Sequence, residues 1–202
     1  MNTLDVLSVI AKPCLALFQY GSRVYGTNSE TSDYDFIAII ATKDRAIESL
    51  DFPEHNLNVT LYTLEEFKLK LAEHEISVLE AYFSKPLIIS PDVVLDFHLN
   101  RPKLRAAISA KSQNSWVKAK KKYTVEKDYS PYVGLKSLFH AFRIVEFGKQ
   151  IAAHERIVDY GAMNYLWSEL SDQNWDWPTL ELTYKTRFNK ICTEFRALAP
   201  KE

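Results

Sequence analysis

The chain has 202 residues, 47% of them hydrophobic, enough for one large domain or for a catalytic domain with a smaller companion. Lysine and arginine number 25 against 26 aspartates and glutamates, a formal net charge of -1, so bulk charge does not mark a nucleic-acid binder and any basic surface must be local. No apolar run approaches bilayer-spanning length, and the N-terminus lacks a basic segment followed by an apolar one. Cys14 and Cys192 match neither a disulfide framework nor a metal-ligand spacing, so both read as reduced thiols and the expected location is the cytoplasm.

In chain order, Leu4 to Lys12 has the apolar spacing of a short amphipathic helix ended by Pro13. Cys14 to Tyr20 reads as a strand stopping at Gly21. Asp33 to Ala41 reads as a second, opening with spaced carboxylates and continuing as a buried apolar run. Leu57 to Tyr62 alternates strictly, with Leu57, Val59 and Leu61 on one face, and predicts a third, half-buried strand. Thr63 with Glu66 and Ser77 with Glu80 fit reciprocal capping boxes, which predicts short helices opening at Leu64 and Val78.

From Ser90-Pro91, a capping residue followed by proline, no strand is expected and the rest reads as helix. One helix is expected over about Lys103 to Lys122. Another opens at Ser130-Pro131 and runs through Phe147, with a connection over 125–129. The expectation is an α+β chain: a mixed-sheet domain over 1–100 and a helical domain over 101–202.

The segment Tyr20 to Phe36 reads Y-G-S-R-V-Y-G-T-N-S-E-T-S-D-Y-D-F. Glycine at position 21 lets the backbone turn tightly and approach a polyphosphate, while following amides and the Ser22 hydroxyl can donate to phosphate oxygens. Strand alternation points Asp33 and Asp35 the same way, giving two hard oxygen ligands for Mg2+. Together they suit in-line phosphoryl chemistry, in which metal ions clamp the oxygens and protein positions the reactants.

Joined at this spacing, the segment resembles the signature of the polymerase-β-like nucleotidyltransferase superfamily. The fuller string G-S-R-V-Y-G-T followed by S-D-Y-D-F is most similar to the predicted nucleotidyltransferases of bacteria and phages associated with RNA repair. The likeness extends to Leu57 to Tyr62, Leu64 to Ala72 and Ser77 to Ala81, although the family's asparagine is not present before Ser77.

The resemblance implies a polymerase-β palm-like domain followed by a helical domain closing the nucleotide cleft. It implies a nucleoside triphosphate, ATP favoured, at Gly21, Ser22 and Arg23, with Mg2+ on Asp33 and Asp35 as the catalytic pair. The implied reaction moves a nucleoside monophosphate onto an RNA or protein acceptor and releases pyrophosphate. It also implies nucleotide contacts from a helix that carries a lysine, a histidine and an arginine, matched here by Lys136, His140 and Arg143 in G-L-K-S-L-F-H-A-F-R. Spacings of four and three put these on one helical face, which a solvated stripe would explain equally well.

Catalytic members of the superfamily usually carry a third carboxylate on the neighbouring strand, and the matching position here is Asn58. An amide oxygen can coordinate a hard cation but carries no charge and is no general base. Three arrangements stay open: an acid from elsewhere, with Asp51, Glu54 and Glu80 as candidates; one well-held metal; or a site that binds nucleotide without turning it over. The last would make the chain an antitoxin-like or phage regulatory module.

Lys118, Lys120, Lys121 and Lys122, with Trp116 and Tyr123 nearby, could meet an RNA end, though cations at a helix C-terminus are also favoured by the dipole. Trp167, Trp175, Trp177 and Phe188 read as core. His55, His74, His98 and His154 form no metal-ligand pair.

Overall fold

A computed structural model describes residues 3–10, 12–42, 47–171 and 174–202. The chain is α+β and divides into two compact units, 1–98 and 99–202. Among the described residues no helix is long and apolar enough to cross a membrane.

The first unit opens with α1 (Thr3–Ile10), the helix expected over Leu4 to Lys12, of which Ala11 lies outside the described residues. Then come β1 (Cys14–Tyr20), the single-turn α2 (Ser22–Tyr25), β2 (Tyr34–Ile40), β3 (Glu48–Phe52) and β4 (Leu57–Tyr62). They are followed by α3 (Leu64–Ala72), α4 (Ile76–Phe83) and the two-residue β5 (Ile88–Ile89). The strands form one mixed sheet in the order β3-β4-β2-β1-β5, in which only β2 and β4 run parallel.

Alternation gives this sheet two apolar faces. Leu17, Phe36, Ala38, Leu57, Val59 and Leu61 pack on one side with Val6 and Ile10 of α1. On the other, Phe67 of α3 stacks on Phe18 at 5.6 Å between ring centroids and meets the Tyr62 ring edge-on at 6.1 Å.

The Thr63–Glu66 capping box is present in both directions: the Glu66 amide donates to Thr63 Oγ1 (3.1 Å) and the Thr63 amide to Glu66 Oε2 (3.0 Å). The second box is not. Helix α4 starts at Ile76 behind Glu75, Ser77 Oγ donates to Glu75 Oε1 (3.1 Å), and Glu80 is buried instead of reaching back to a cap. Ser90-Pro91 opens no helix either; the chain runs without regular structure to Asn100. Edge strands β3 and β5 were not expected from sequence.

In the second unit Asn100 caps α5 (Arg101–Thr124), its side chain accepting from the Lys103 amide at 2.9 Å. Next come α6 (Pro131–His154), α7 (Asn164–Ser171) and α8 (Trp177–Leu198). Helices α5 and α6 form an antiparallel hairpin whose close approach requires glycine: a Cβ at Gly134 would meet the Tyr123 ring at 2.5 Å, and one at Gly148 would meet Ile108 at 2.8 Å. Helix α8 closes this core through Phe188, which stacks on Trp116 at 4.7 Å and meets Phe142 at 5.2 Å.

Candidate nucleotide and metal site

Strand β1 ends in Tyr20, and the chain turns at Gly21 with φ +84° before entering α2. A side chain is strained at that φ, and here there is no room for one: a Cβ on Gly21 would lie 2.2 Å from Asp35 Oδ2. The glycine is what lets the turn rest directly against the Asp35 carboxylate. The Val24 amide (3.0 Å) and the Tyr25 amide (3.2 Å) both donate to the Gly21 carbonyl, leaving the Ser22 hydroxyl and the first amides of α2 at the start of the turn.

Asp35 sits on β2 between Tyr20 and Asn58, its register partners on β1 and β4, and Asn58 is in turn paired with Asp51 on edge strand β3. Side chains directly opposite in a sheet share a face, so Tyr20, Asp35, Asn58 and Asp51 form one polar row across four strands. Asn58 Nδ2 donates to Asp35 Oδ1 at 3.3 Å. Asp33 is exposed and lies just ahead of β2, two residues from Asp35.

The three candidate third acids separate clearly. Asp51 is in the row but exposed, about 10 Å from Asp35 at two strand spacings, with Asn58 between them. Glu54 lies in the exposed 3-10 turn between β3 and β4. Glu80 is 4% exposed and takes the hydrogen bond of the Tyr25 hydroxyl, tying the end of α2 to α4. No group of three or more His, Cys, Asp or Glu side chains able to hold a metal ion forms among the described residues. The pair Asp33 and Asp35 still suits Mg2+, which takes one or two carboxylates and completes its octahedron with water and substrate phosphate.

The Tyr20 hydroxyl is pushed up to about 12, first by burial, then by the negative charge of Asp35; a hydrogen bond with Thr60 opposes the shift. The charge of Asp35 is thus felt across this end of the sheet, a setting that favours a bound cation.

Arg23 is tied to the loop that follows α2. Its Nη2 donates to the Ser32 carbonyl at 2.6 Å, and its guanidinium lies 3.7 Å over the Tyr34 ring. These contacts fix the loop that delivers Asp33, whose bend is closed by the Ser29 amide on Ser32 Oγ (2.8 Å).

In the second unit, Lys136, His140 and Arg143 do share a face of α6, with unequal surroundings. Lys136 is exposed; Arg143 is 3% exposed, lies between the Phe139 and Phe147 rings, and donates through Nη2 to His140 Nδ1 at 2.9 Å. The His140 imidazole is held well below its ordinary value, first by the charge of Arg143, then by burial, and further by Lys136, Lys118 and Lys111. Trp116, which in sequence could have stacked on a base, is 3% exposed inside the helical core, and Tyr123 lies under Gly134. Trp177 and Phe188 are core as expected, while Trp167 and Trp175 are half-buried.

Compared with protein-family models the chain matches none, and no curated protein matches it. Sequence and geometry therefore carry the functional reading.

Proposed function

We propose that the chain is a Mg2+-dependent nucleotidyltransferase of the polymerase-β-like superfamily, transferring a nucleoside monophosphate, AMP from ATP favoured, to an RNA or protein acceptor. The observation that carries this reading is the contact of Gly21 with Asp35. It sets a tight turn, with donors from Ser22 and the first amides of α2, against Asp35, two residues along the chain from Asp33. In the reaction an acceptor oxygen attacks the α-phosphorus, the bond to the bridging oxygen of the β-phosphate breaks, and pyrophosphate leaves.

The residues divide the work. Gly21 and Ser22 receive the terminal phosphates, Arg23 and Tyr34 keep the Asp33 loop in place, and Tyr25 with Glu80 fixes the far end of α2. Asp33 and Asp35 would hold Mg2+, which when bound neutralises charge on the triphosphate and on the leaving pyrophosphate.

A second reading has its own support. Asn58 presents an amide donor to Asp35, which lowers the demand for a cation at that carboxylate and supplies no base for the acceptor. On that reading the protein binds nucleotide as a regulatory module without transfer.

Calorimetric titration with each nucleoside triphosphate, with and without Mg2+, tests what both readings share. Metal-dependent binding that disappears in Asp33→Ala plus Asp35→Ala is the expected result. Failure of every triphosphate to bind the wild type would sink the proposal. Labelled α-phosphate appearing on an acceptor then separates the enzyme from the binding module.

A further inference from the structure

The net charge of -1 conceals a division between the two units. The first has seven lysines and arginines against fifteen acids; the second has eighteen against eleven. Much of the positive charge sits on α5, whose 24 residues include eight lysines and arginines and no aspartate or glutamate. A solvated helix ordinarily intersperses both signs, because like charges three and four residues apart repel.

The hairpin register sorts these cations. With Gly134 against Tyr123 and Gly148 against Ile108, Lys111 and Lys118 fall on either side of the level of His140, and Lys136 lies one turn beyond it on the Lys118 side. Lys111, Lys118 and Lys122 are spaced by seven and four, so they share one edge of α5. Tyr132, Lys136 and His140 are spaced by four and four, so they share a face of α6. The charges of Lys111, Lys118 and Lys136 all reach the His140 ring, which places both rows on the same side of the hairpin.

Among the described residues none of Lys111, Lys118, Lys122 and Lys136 makes an ion pair, whereas Lys121, off this edge, is held by Asp128 at 2.7 Å. Aromatic surface lies in the same strip. Tyr132 is 58% exposed, with the Lys136 ammonium 5.0 Å from its ring centroid and the half-buried Trp167 ring 6.3 Å away.

We propose that the α5–α6 hairpin binds single-stranded nucleic acid along the strip from Lys122 and Tyr132, past Lys118 and Lys136, to Lys111. On α5 alone the strip spans about 16 Å, longer than one triphosphate and suited to several nucleotides of extended backbone. Unpaired lysines track phosphates, and an exposed tyrosine with a cation at its face stacks on a base. An acidic protein would satisfy the lysines but has no use for that ring arrangement. A duplex offers phosphates with its base faces already stacked. The inference names an acceptor class for the nucleotidyl-transfer reading without depending on it, since all of its residues lie in the second unit.

The test is fluorescence anisotropy of a labelled oligouridylate of about 20 nucleotides on the full chain, free of NTP and Mg2+, across a salt series. The expected result is binding whose salt slope falls by about 2 in Lys111→Gln/Lys118→Gln/Lys136→Gln, at roughly 0.7 for each phosphate no longer neutralised. Tyr132→Ala is expected to weaken binding at least about fivefold with the slope unchanged. These positions are exposed, and unchanged urea midpoints will show that the variants fold. Equal binding of oligothymidylate supports recognition of phosphate and base faces, and an RNA preference supports the same surface with ribose contacts added. Absence of binding at low salt overturns the proposal. So does equal binding of a duplex or of polyglutamate with Tyr132→Ala silent. Asp33→Ala plus Asp35→Ala, measured in parallel, is expected to bind the oligonucleotide like wild type even where triphosphate binding has failed.

Discussion

Gly21 and Asp35 are so close that the smallest side chain cannot come between them: a Cβ on Gly21 would stand 2.2 Å from Asp35 Oδ2 and 2.9 Å from Asp35 Cβ. The obstruction comes from the base of the aspartate as well as its tip, so a rotamer change cannot relieve it. Gly21→Ala adds a backbone penalty at φ +84° and is expected to destabilise the protein by about 2–3 kcal/mol. Urea denaturation measures that loss. Ser22→Ala, in contrast, is expected to leave stability within about 0.5 kcal/mol, so that weaker triphosphate binding in this variant reports on the hydroxyl itself.

On the proposed nucleotidyltransferase reading Asn58 stands where a third carboxylate is expected, and its hydrogen bond to Asp35 makes the reverse substitution informative. Asn58→Asp replaces a donor with a like charge about 3 Å from the Asp35 carboxylate. Because both groups are half-exposed, the expected cost without metal is about 1–2 kcal/mol, well below the unscreened value. Mg2+ should restore most of it, since the variant presents a closer cluster of carboxylates. Thermal melts with and without Mg2+ check this: a variant that is less stable in both conditions, with no metal response, counts against a cation site on this face.

Most of the first unit was legible in the sequence, and the exceptions have physical causes. Strands β1 and β4 and the helix behind Thr63 were legible because alternation and a local capping box are set by neighbours in the chain. Strand β3, with the pattern Glu48-Ser49-Leu50-Asp51-Phe52, has too little apolar content to announce itself and is held by pairing with β4. The Ser77–Glu80 box failed because Glu80 has a better partner 55 residues away in Tyr25, an interaction no local pattern contains. Asp33 and Asp35 were visible from spacing, and Arg23 was visible as a residue, but its commitment to Ser32 and Tyr34 was not. Of the cationic strip, the run Lys118 to Lys122 was visible in sequence, but its alignment with Lys136 and Tyr132 depends on the α5–α6 hairpin, which no local pattern contains.

The buried Tyr25–Glu80 hydrogen bond predicts a graded series. Glu80→Ala deprives the Tyr25 hydroxyl of this acceptor inside the unit and is expected to cost about 2–4 kcal/mol. Glu80→Gln keeps an acceptor oxygen and should cost about 1–2 kcal/mol. Because this bond anchors the C-terminal end of α2, both variants are also expected to weaken triphosphate binding, Glu80→Gln less than Glu80→Ala. Stability of both variants equal to that of wild type in urea would show that the hydrogen bond contributes nothing.

His140 supplies the pH dependence. Arg143 donates to its Nδ1, so the ring must keep that nitrogen unprotonated, and Arg143, Lys136, Lys118 and Lys111 all oppose a further positive charge. In the unfolded chain the imidazole recovers its ordinary value of 6.5, so below that pH the unfolded state takes up a proton that the folded state refuses. The folded value is the lower one. The contribution to stability is therefore intact above 6.5 and is lost as the pH falls toward the depressed folded value. Urea melts of wild type and His140→Gln across this window are expected to show wild type losing stability more steeply toward acid. The difference should be constant above 6.5. Parallel profiles on the acid side would mean that the histidine is already protonated in the folded protein, which the Arg143 hydrogen bond forbids.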